Sequence, residues 1–280
     1  MKKLPISVIV LTFNEENNIK DCLESCSELF PDIYIVDSFS TDKTLAIVNR
    51  YTDKIFQNEF ENYSQQRNWA LENLPIKTEW VFNLDADHRI TEELRSELIG
   101  IFSNNKIPQQ INGYLISRKT IFMGRWIKYG GHFPSYHSVL FRKDYGYCEN
   151  KKYDQHFVVD GEKLKLKGTI IDIITDSLTR FTTRHNKWSS LESSKENNSL
   201  NTEKSINANI FGNPIERKRF LKNIYNSFPL FVRPFLYFNY RYFLRLGFLD
   251  GKEGLIFHFL QGFWFRFLID AKIYENKKTQ

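Results

Sequence analysis

Two carboxylates, Asp85 and Asp87, stand one residue apart at the end of the run Trp80-Val81-Phe82-Asn83-Leu84. That apolar run reads as a buried strand, and alternate residues of a strand leave a sheet on the same side. Held in the turn beyond the strand, the pair can grip one hard divalent cation through oxygen, and a cation so held can bind a diphosphate. A D-x-D pattern alone arises by chance, so its weight comes from its position in the chain. His88 follows at once and reads as an exposed loop histidine, with a place behind the carboxylates as the alternative.

Three strand–helix units precede the pair. The β-branched run 5–11 is followed by the polar stretch Thr12-Phe13-Asn14-Glu15-Glu16, and Asn14 is placed to cap a helix running to about Leu29. A second strand, 33–36, ends at Asp37, and its loop feeds a helix carrying Leu45, Ile47 and Val48. A short strand at 55–56 and a helix over 64–74 come next. Alternation of this kind predicts a parallel sheet buried on both faces, with ligands outside the carboxyl ends of its strands. The loops 12–15, 37–42 and 85–87 are therefore expected to converge on one crevice. Asp42 reads as a helix cap rather than a site residue.

Four segments in this order, SVIVLTFNEE (7–16), VDSFSTDKT (36–44), QQRNWAL (65–71) and NLDADHRI (83–90), resemble a family 2 glycosyltransferase with the nucleotide-sugar-binding GT-A fold. YDQHF (153–157) and TRHNKWSSLES (183–193) resemble acceptor-side segments of bacterial envelope-polysaccharide and lipopolysaccharide-core members. The resemblance implies an α/β fold with a mainly parallel central sheet and a helical, aromatic-rich C-terminal extension. It also implies site roles. Thr12, Asn14 and Glu15 would line the nucleoside pocket, with Glu15 accepting from a ribose hydroxyl or else serving the start of a helix. Asp37 would accept from the ring N–H of uracil, or else hold an Asx turn. Arg67 would sit near the diphosphate, a surface ion pair being the alternative. Asp85 would face the ribose or sugar, and Asp87 would bind Mg²⁺ or Mn²⁺. An inverting transfer needs a base for the acceptor hydroxyl, and Asp154 is the candidate, with His156 competing because imidazole titrates near neutrality. Arg184 and Lys187 would close over the diphosphate and His185 would add a metal ligand. The alternative for these three is a solvated helix start. Gly130-Gly131 suggests a close approach of backbone to sugar.

The net charge of +6 is localised: residues 216–280 hold 12 Lys/Arg against 5 Asp/Glu, and the rest of the chain holds 27 against 28. Basic and aromatic residues interleave there, as in Phe263-Trp264-Phe265-Arg266-Phe267, which suggests an interfacial amphipathic element on an anionic membrane surface. Packing of the same aromatics against the catalytic domain is the alternative. No run of some 18 apolar residues and no secretory signal is read in the sequence. Cys22, Cys26 and Cys148 form no disulfide framework and read as small buried hydrophobes in a reducing compartment. The expected location is cytoplasmic, peripheral on the inner face of a bacterial plasma membrane. The basic balance also suits nucleic acid, but no nucleic-acid motif is present. The expected organisation is a catalytic domain over 1–200, with a nucleotide-sugar half to about 105 and an acceptor half beyond it. A linker over 201–215 and a tail over 216–280 follow.

These readings converge on a metal-dependent, inverting sugar transferase. Its donor would be a nucleoside-diphosphate sugar, most simply a UDP-sugar, and its acceptor a lipid-linked or lipopolysaccharide-core glycan. A nucleotidyltransferase would carry a Gly-rich, Arg-containing loop after the first strand, where this chain has TFNEEN. A degenerate transferase acting only as a glycan-binding or membrane scaffold would have lost an acid, and Asp37, Asp85, Asp87 and Asp154 are all present.

Overall fold

The computed structural model describes residues 3–103, 107–151, 153–174, 177–194 and 206–278. The part of the expected linker over 201–205 lies outside them. The chain divides into two compact units that interleave along the sequence. The first comprises Met1–Arg118, Tyr136–Glu149 and Gln155–Asp172, and the second Lys119–Ser135, Asn150–Asp154 and Ile173–Gln280.

The first unit is built on β1 (Ile6–Thr12), β2 (Asp32–Asp37), β3 (Ile55–Gln57) and β4 (Trp80–Asp85), all mutually parallel in the order β3-β2-β1-β4. Ile6, Val8, Val10, Ile35, Val36, Val81, Phe82 and Leu84 are fully enclosed, as expected where helices cover both faces. Those helices are α1 (Ile19–Cys26), α2 (Thr44–Val48), α3 (Tyr63–Asn73) and α4 (Glu92–Ser103). The three cysteines are free and buried.

Beyond β4 the sheet becomes mixed, with antiparallel pairs that the sequence does not reveal. It continues through β8 (Ser135–Arg142), β6 (Ile111–Phe122) and β11 (Glu162–Ile173) to β5 (His88–Ile90), with β7 (Arg125–Trp126) paired to β6. The chain therefore leaves the sheet at Asp85 and, after the turn Ala86-Asp87, re-enters at the far edge, where His88 pairs with Asp172 of β11. A separate hairpin joins β9 (Gly146–Cys148) to β10 (Phe157–Val159).

The second unit has its own apolar centre in Phe122, Ile127, Phe181 and Phe257. Residues 216–280 are bound into it through the backbone as well. Asp250 accepts from the N–H groups of Lys128 (3.1 Å) and Tyr129 (2.9 Å), and the Arg241 Nε donates to Gly130 O (3.0 Å). Gly130 has φ +68°, and a Cβ there would meet the His258 ring at 2.1 Å. The glycine expected beside a sugar thus makes room for a histidine of the same unit.

Candidate active site

Parallel register aligns the strand ends. Thr12 pairs with Asp37 and Leu11 with Asp85, so Thr12, Asp37 and Asp85 terminate three adjacent strands. The loops beyond them are laced together. Asn14 is not the helix cap expected of it. It adopts left-handed backbone (φ 53°), which Asn tolerates better than most residues, and α1 starts only at Ile19. There its N–H donates to Ser40 Oγ (2.9 Å) and its Oδ1 accepts from Thr41 N (2.8 Å). The Glu15 N–H donates to Thr44 Oγ1 (2.8 Å), while its carboxylate accepts from Asn18 Nδ2 (2.7 Å). Asp42 accepts from Thr44 N and Glu16 N, and the cap position of α2 expected for it falls on Lys43. Asp37 is buried. Its carboxylate accepts from Ser40 N (2.9 Å), Ser40 Oγ (2.5 Å) and Gln57 Nε2 (3.1 Å), so it fastens its own loop three residues on. Thr12 Oγ1 is buried at its strand end with no hydrogen-bond partner among the described residues.

The acidic turn rests on a buried cation. Asn62 caps α3 by accepting from Gln65 N (3.0 Å), which sets Tyr63 and Arg67 four residues apart on one helix face. The Arg67 Nη2 donates to Asp85 Oδ1 (2.5 Å) and Leu84 O (2.8 Å), and its Nε donates to Tyr63 Oη (3.1 Å). Tyr63 Oη in turn donates to Asp85 Oδ1 (3.2 Å). Arg67 is fully enclosed, so the surface ion pair is excluded: this is a buried charge pair with its hydrogen bonds made. Burial alone would raise the Asp85 carboxyl. The Arg67 charge and its hydrogen bond, with Arg118 adding to the pull, together contribute to outweighing burial, and the group is held at about 2.

His88 is where sequence reasoning missed a site residue. It is buried rather than exposed, because β5 pairs with β11 and turns the ring inward. Burial, reinforced by Arg118, lowers its pKa to about 3, so the ring is neutral at physiological pH. Its Nδ1 accepts from the Asp85 N–H (3.0 Å). A neutral imidazole that accepts at Nδ1 carries its proton on Nε2. That N–H lies 3.6 Å from Asp85 Oδ2 and 3.9 Å from Asp87 Oδ1. His88 therefore presents an N–H towards the carboxylates and is not, in this tautomer, a ligand through Nε2.

Asp85, Asp87 and His88 form the one group of three potential ligand side chains among the described residues, with their ligand atoms within 4.8 Å of one another. The oxygen donors suit Mg²⁺ or Mn²⁺ better than a soft metal.

The remaining predicted residues are distributed as follows. His156 lies in the first unit. Its N–H donates to Glu149 Oε2 (3.0 Å), and its ring stands 5.8 Å from that of His137, a pairing the sequence did not suggest. The second unit holds Asp154, in left-handed backbone (φ 58°). The Asp154 carboxylate accepts from Lys222 Nζ (3.0 Å) and Arg219 Nη1 (3.3 Å) of the helix Pro214–Ser227. Arg184, His185 and Lys187 do not start a helix. They lie inside α5 (Leu178–Ser193), which Ser177 caps by accepting from Arg180 N. Arg184 lies over Trp188 at 5.0 Å and donates to Ile174 O, while Lys187 is exposed. His185 lies in the second unit. Its ring stacks on Phe181 at 3.9 Å and meets Trp188 and Phe265 edge-on, with Nδ1 bonded to Phe181 O (2.8 Å). Residues four before and three after it on α5 build that aromatic cage.

Comparison with known proteins adds the following. The family model described as Glycosyl transferase family 2 matches residues 7–196. The lipopolysaccharide core biosynthesis glycosyltransferase LpsC of Rhizobium meliloti is 29% identical over 98% of this chain and 93% of its own length. An uncharacterized glycosyltransferase of Rickettsia conorii is 32% identical over 36% of this chain and 35% of its own. Among solved structures, the mannosyltransferase PcManGT from Pyrobaculum calidifontis, in complex with GDP-Man and Mn²⁺, covers 99% of this chain and 89% of its own length. That likeness has a TM-score of 0.50 at 14% identity and bears on the fold, which is the expected GT-A type with a helical C-terminal region.

Proposed function

The chain belongs to glycosyl transferase family 2, and from that premise we propose that it moves a sugar from a nucleoside-diphosphate donor to a lipopolysaccharide-core type glycan on a lipid. One observation carries this reading: Thr12, Asp37 and Asp85 end three adjacent parallel strands, with the Asp85-Ala86-Asp87 turn beside them. The full-length similarity to an enzyme named for lipopolysaccharide core biosynthesis supports the acceptor class.

Thr12, Asn14, Glu15 and the loop that Asp37 holds receive the nucleoside. The unpartnered Thr12 hydroxyl is available to it. Asp87 and Asp85 hold Mg²⁺ or Mn²⁺, which when bound offsets the charge of the departing diphosphate. Arg67 keeps Asp85 ionised and fixed, and His88 orients the same turn. Arg184 and Lys187 keep the phosphate-binding role that the family resemblance implies for them. Asp154 takes the proton of the acceptor hydroxyl, whose oxygen bonds to the anomeric carbon as the bond from that carbon to the diphosphate breaks. Attack from the opposite face inverts the centre, giving a β-linkage from an α-linked donor. His156 is the alternative base.

Purified protein with Mn²⁺ and a panel of UDP-, GDP- and dTDP-sugars, scored by nucleoside diphosphate release with and without a lipopolysaccharide-core acceptor, tests the reading. Acceptor-stimulated release from one donor class is expected. Nucleotide transfer with pyrophosphate release, or binding without turnover for every donor, would overturn it.

A further inference from the structure

The helix Val232–Asn239, continued by the π-helical turn Tyr240–Leu244, is amphipathic in the reverse of the usual sense. Its buried side carries charge. Arg233 is enclosed and donates to Asp270 from Nε (2.8 Å) and Nη2 (2.5 Å), and Arg241 is enclosed against Gly130 O. Its exposed side is apolar. Val232, Phe235, Leu236, Tyr240, Phe243 and Leu244 recur at three- and four-residue steps, with Leu244 76% exposed. Leu246, Phe248 and Leu249 extend the exposed set, and Leu255 and Phe259 continue it on the helices Gly251–Phe257 and His258–Trp264. The half-buried Phe263 supports this face, meeting the exposed Phe235 at 4.6 Å and the exposed Phe267 at 5.8 Å. Scattered exposed apolar residues are ordinary, but a contiguous face across successive helices is not.

We propose that this face seats the protein on an anionic lipid surface, with its apolar side chains at the boundary between headgroups and acyl chains. Three observations select lipid over other occupants. The exposed Arg245 and Lys252 are interleaved with the apolar residues, where long basic side chains can reach lipid phosphates while their stems stay in the apolar layer. Residues 216–280 hold the whole basic excess of the chain. No helix among the described residues is long and apolar enough to cross a membrane, so these lie on the surface rather than span it. A second copy of the chain fits less well, because a two-fold contact would set Arg245 and Lys252 of both copies in one apolar interface. The proposal deepens the acceptor reading above and rests on it for the use of a lipid surface. Vesicle binding is measured without turnover, so either can fail while the other stands.

The test is co-sedimentation of the full chain with vesicles of phosphatidylcholine, with and without phosphatidylglycerol. Binding should require the anionic lipid and weaken in high salt, which screens the charges. Leu244→Glu and Phe243→Glu, at exposed positions, should each reduce the bound fraction at least tenfold at an unchanged Tm. Arg245→Glu with Lys252→Glu should reproduce the high-salt result at low salt. Protein that stays in the supernatant with anionic vesicles overturns the proposal, as does binding that survives all four substitutions. A concentration-dependent dimer that Leu244→Glu dissociates, with no vesicle binding, would assign the face to a second copy instead. Should Leu244→Glu unfold, Leu244→Ser and Phe243→Ser carry the same comparison.

Discussion

Asp87 and Asp85 are alike in sequence and unlike in surroundings. Asp85 is bonded to Arg67 and Tyr63, and Asp87 is the residue to which the family resemblance gives the metal. Asp87→Asn should leave Tm unchanged and slow turnover roughly 100-fold, the effect of losing about 3 kcal/mol of charge stabilisation. EDTA should reproduce the loss in the parent protein, with rescue by Mn²⁺; full activity in EDTA would exclude metal dependence. Asp154→Asn should lower turnover by roughly two to four orders of magnitude with little change in donor affinity. Because Asp154 also pairs with Arg219 and Lys222, Arg219→Gln serves as the control for losing a pair alone. An active Asp154→Asn beside an inactive His156→Ala would transfer the role to His156. The acids were legible because strand ends and carboxylates are local signals. His88 was not, since its burial follows from pairing with Asp172, far along the chain.

At the scale of elements, the first four strands and their helices could be read from runs of apolar residues, and α3 was misplaced by a single residue. The mixed part of the sheet was not legible, because β5 and β11 are neighbours only by long-range pairing. α5 shows the same limit. Its sequence TRHNKW reads as a basic segment over the diphosphate or as a solvated helix start, and in the structure Phe265 from another helix closes a cage over His185. Burial lowers the His185 pKa to about 4. An unfolded histidine binds its proton near pH 6.5, so between there and about pH 4 the unfolded chain holds more protons than the folded one. Stability should therefore be full above about pH 6.5 and fall as the pH drops towards 4, by up to roughly 3 kcal/mol from this residue. His185→Phe suits the aromatic cage and should flatten the dependence of Tm on pH across that window. It should also retain activity at neutral pH. Loss of activity with Tm preserved would return His185 to the list of metal ligands.

The whole molecule joins distant parts of the sequence, and the tail is the clearest case. Read along the chain, residues 216–280 look detachable. In the structure they supply Phe257 to the centre formed with Phe122 and Phe181, and Asp250 to the backbone at Lys128 and Tyr129. They also supply Arg219 and Lys222 to Asp154. A chain ending at residue 215 would expose Phe122 and Phe181 and leave those two N–H groups without their acceptor. Deleting an enclosed Phe side chain alone costs about 3–5 kcal/mol, a large part of a typical folding stability of roughly 5–15 kcal/mol. The truncated protein should therefore bind a hydrophobic dye strongly, lose the cooperative unfolding of its second unit and show no sugar transfer. Its first unit contains none of residues 216–280, so nucleotide binding measured by calorimetry should persist with weakened affinity. A truncated chain that unfolds cooperatively and turns over donor at the parent rate would show that the tail is an appendage after all. Its basic and aromatic residues would then serve attachment alone.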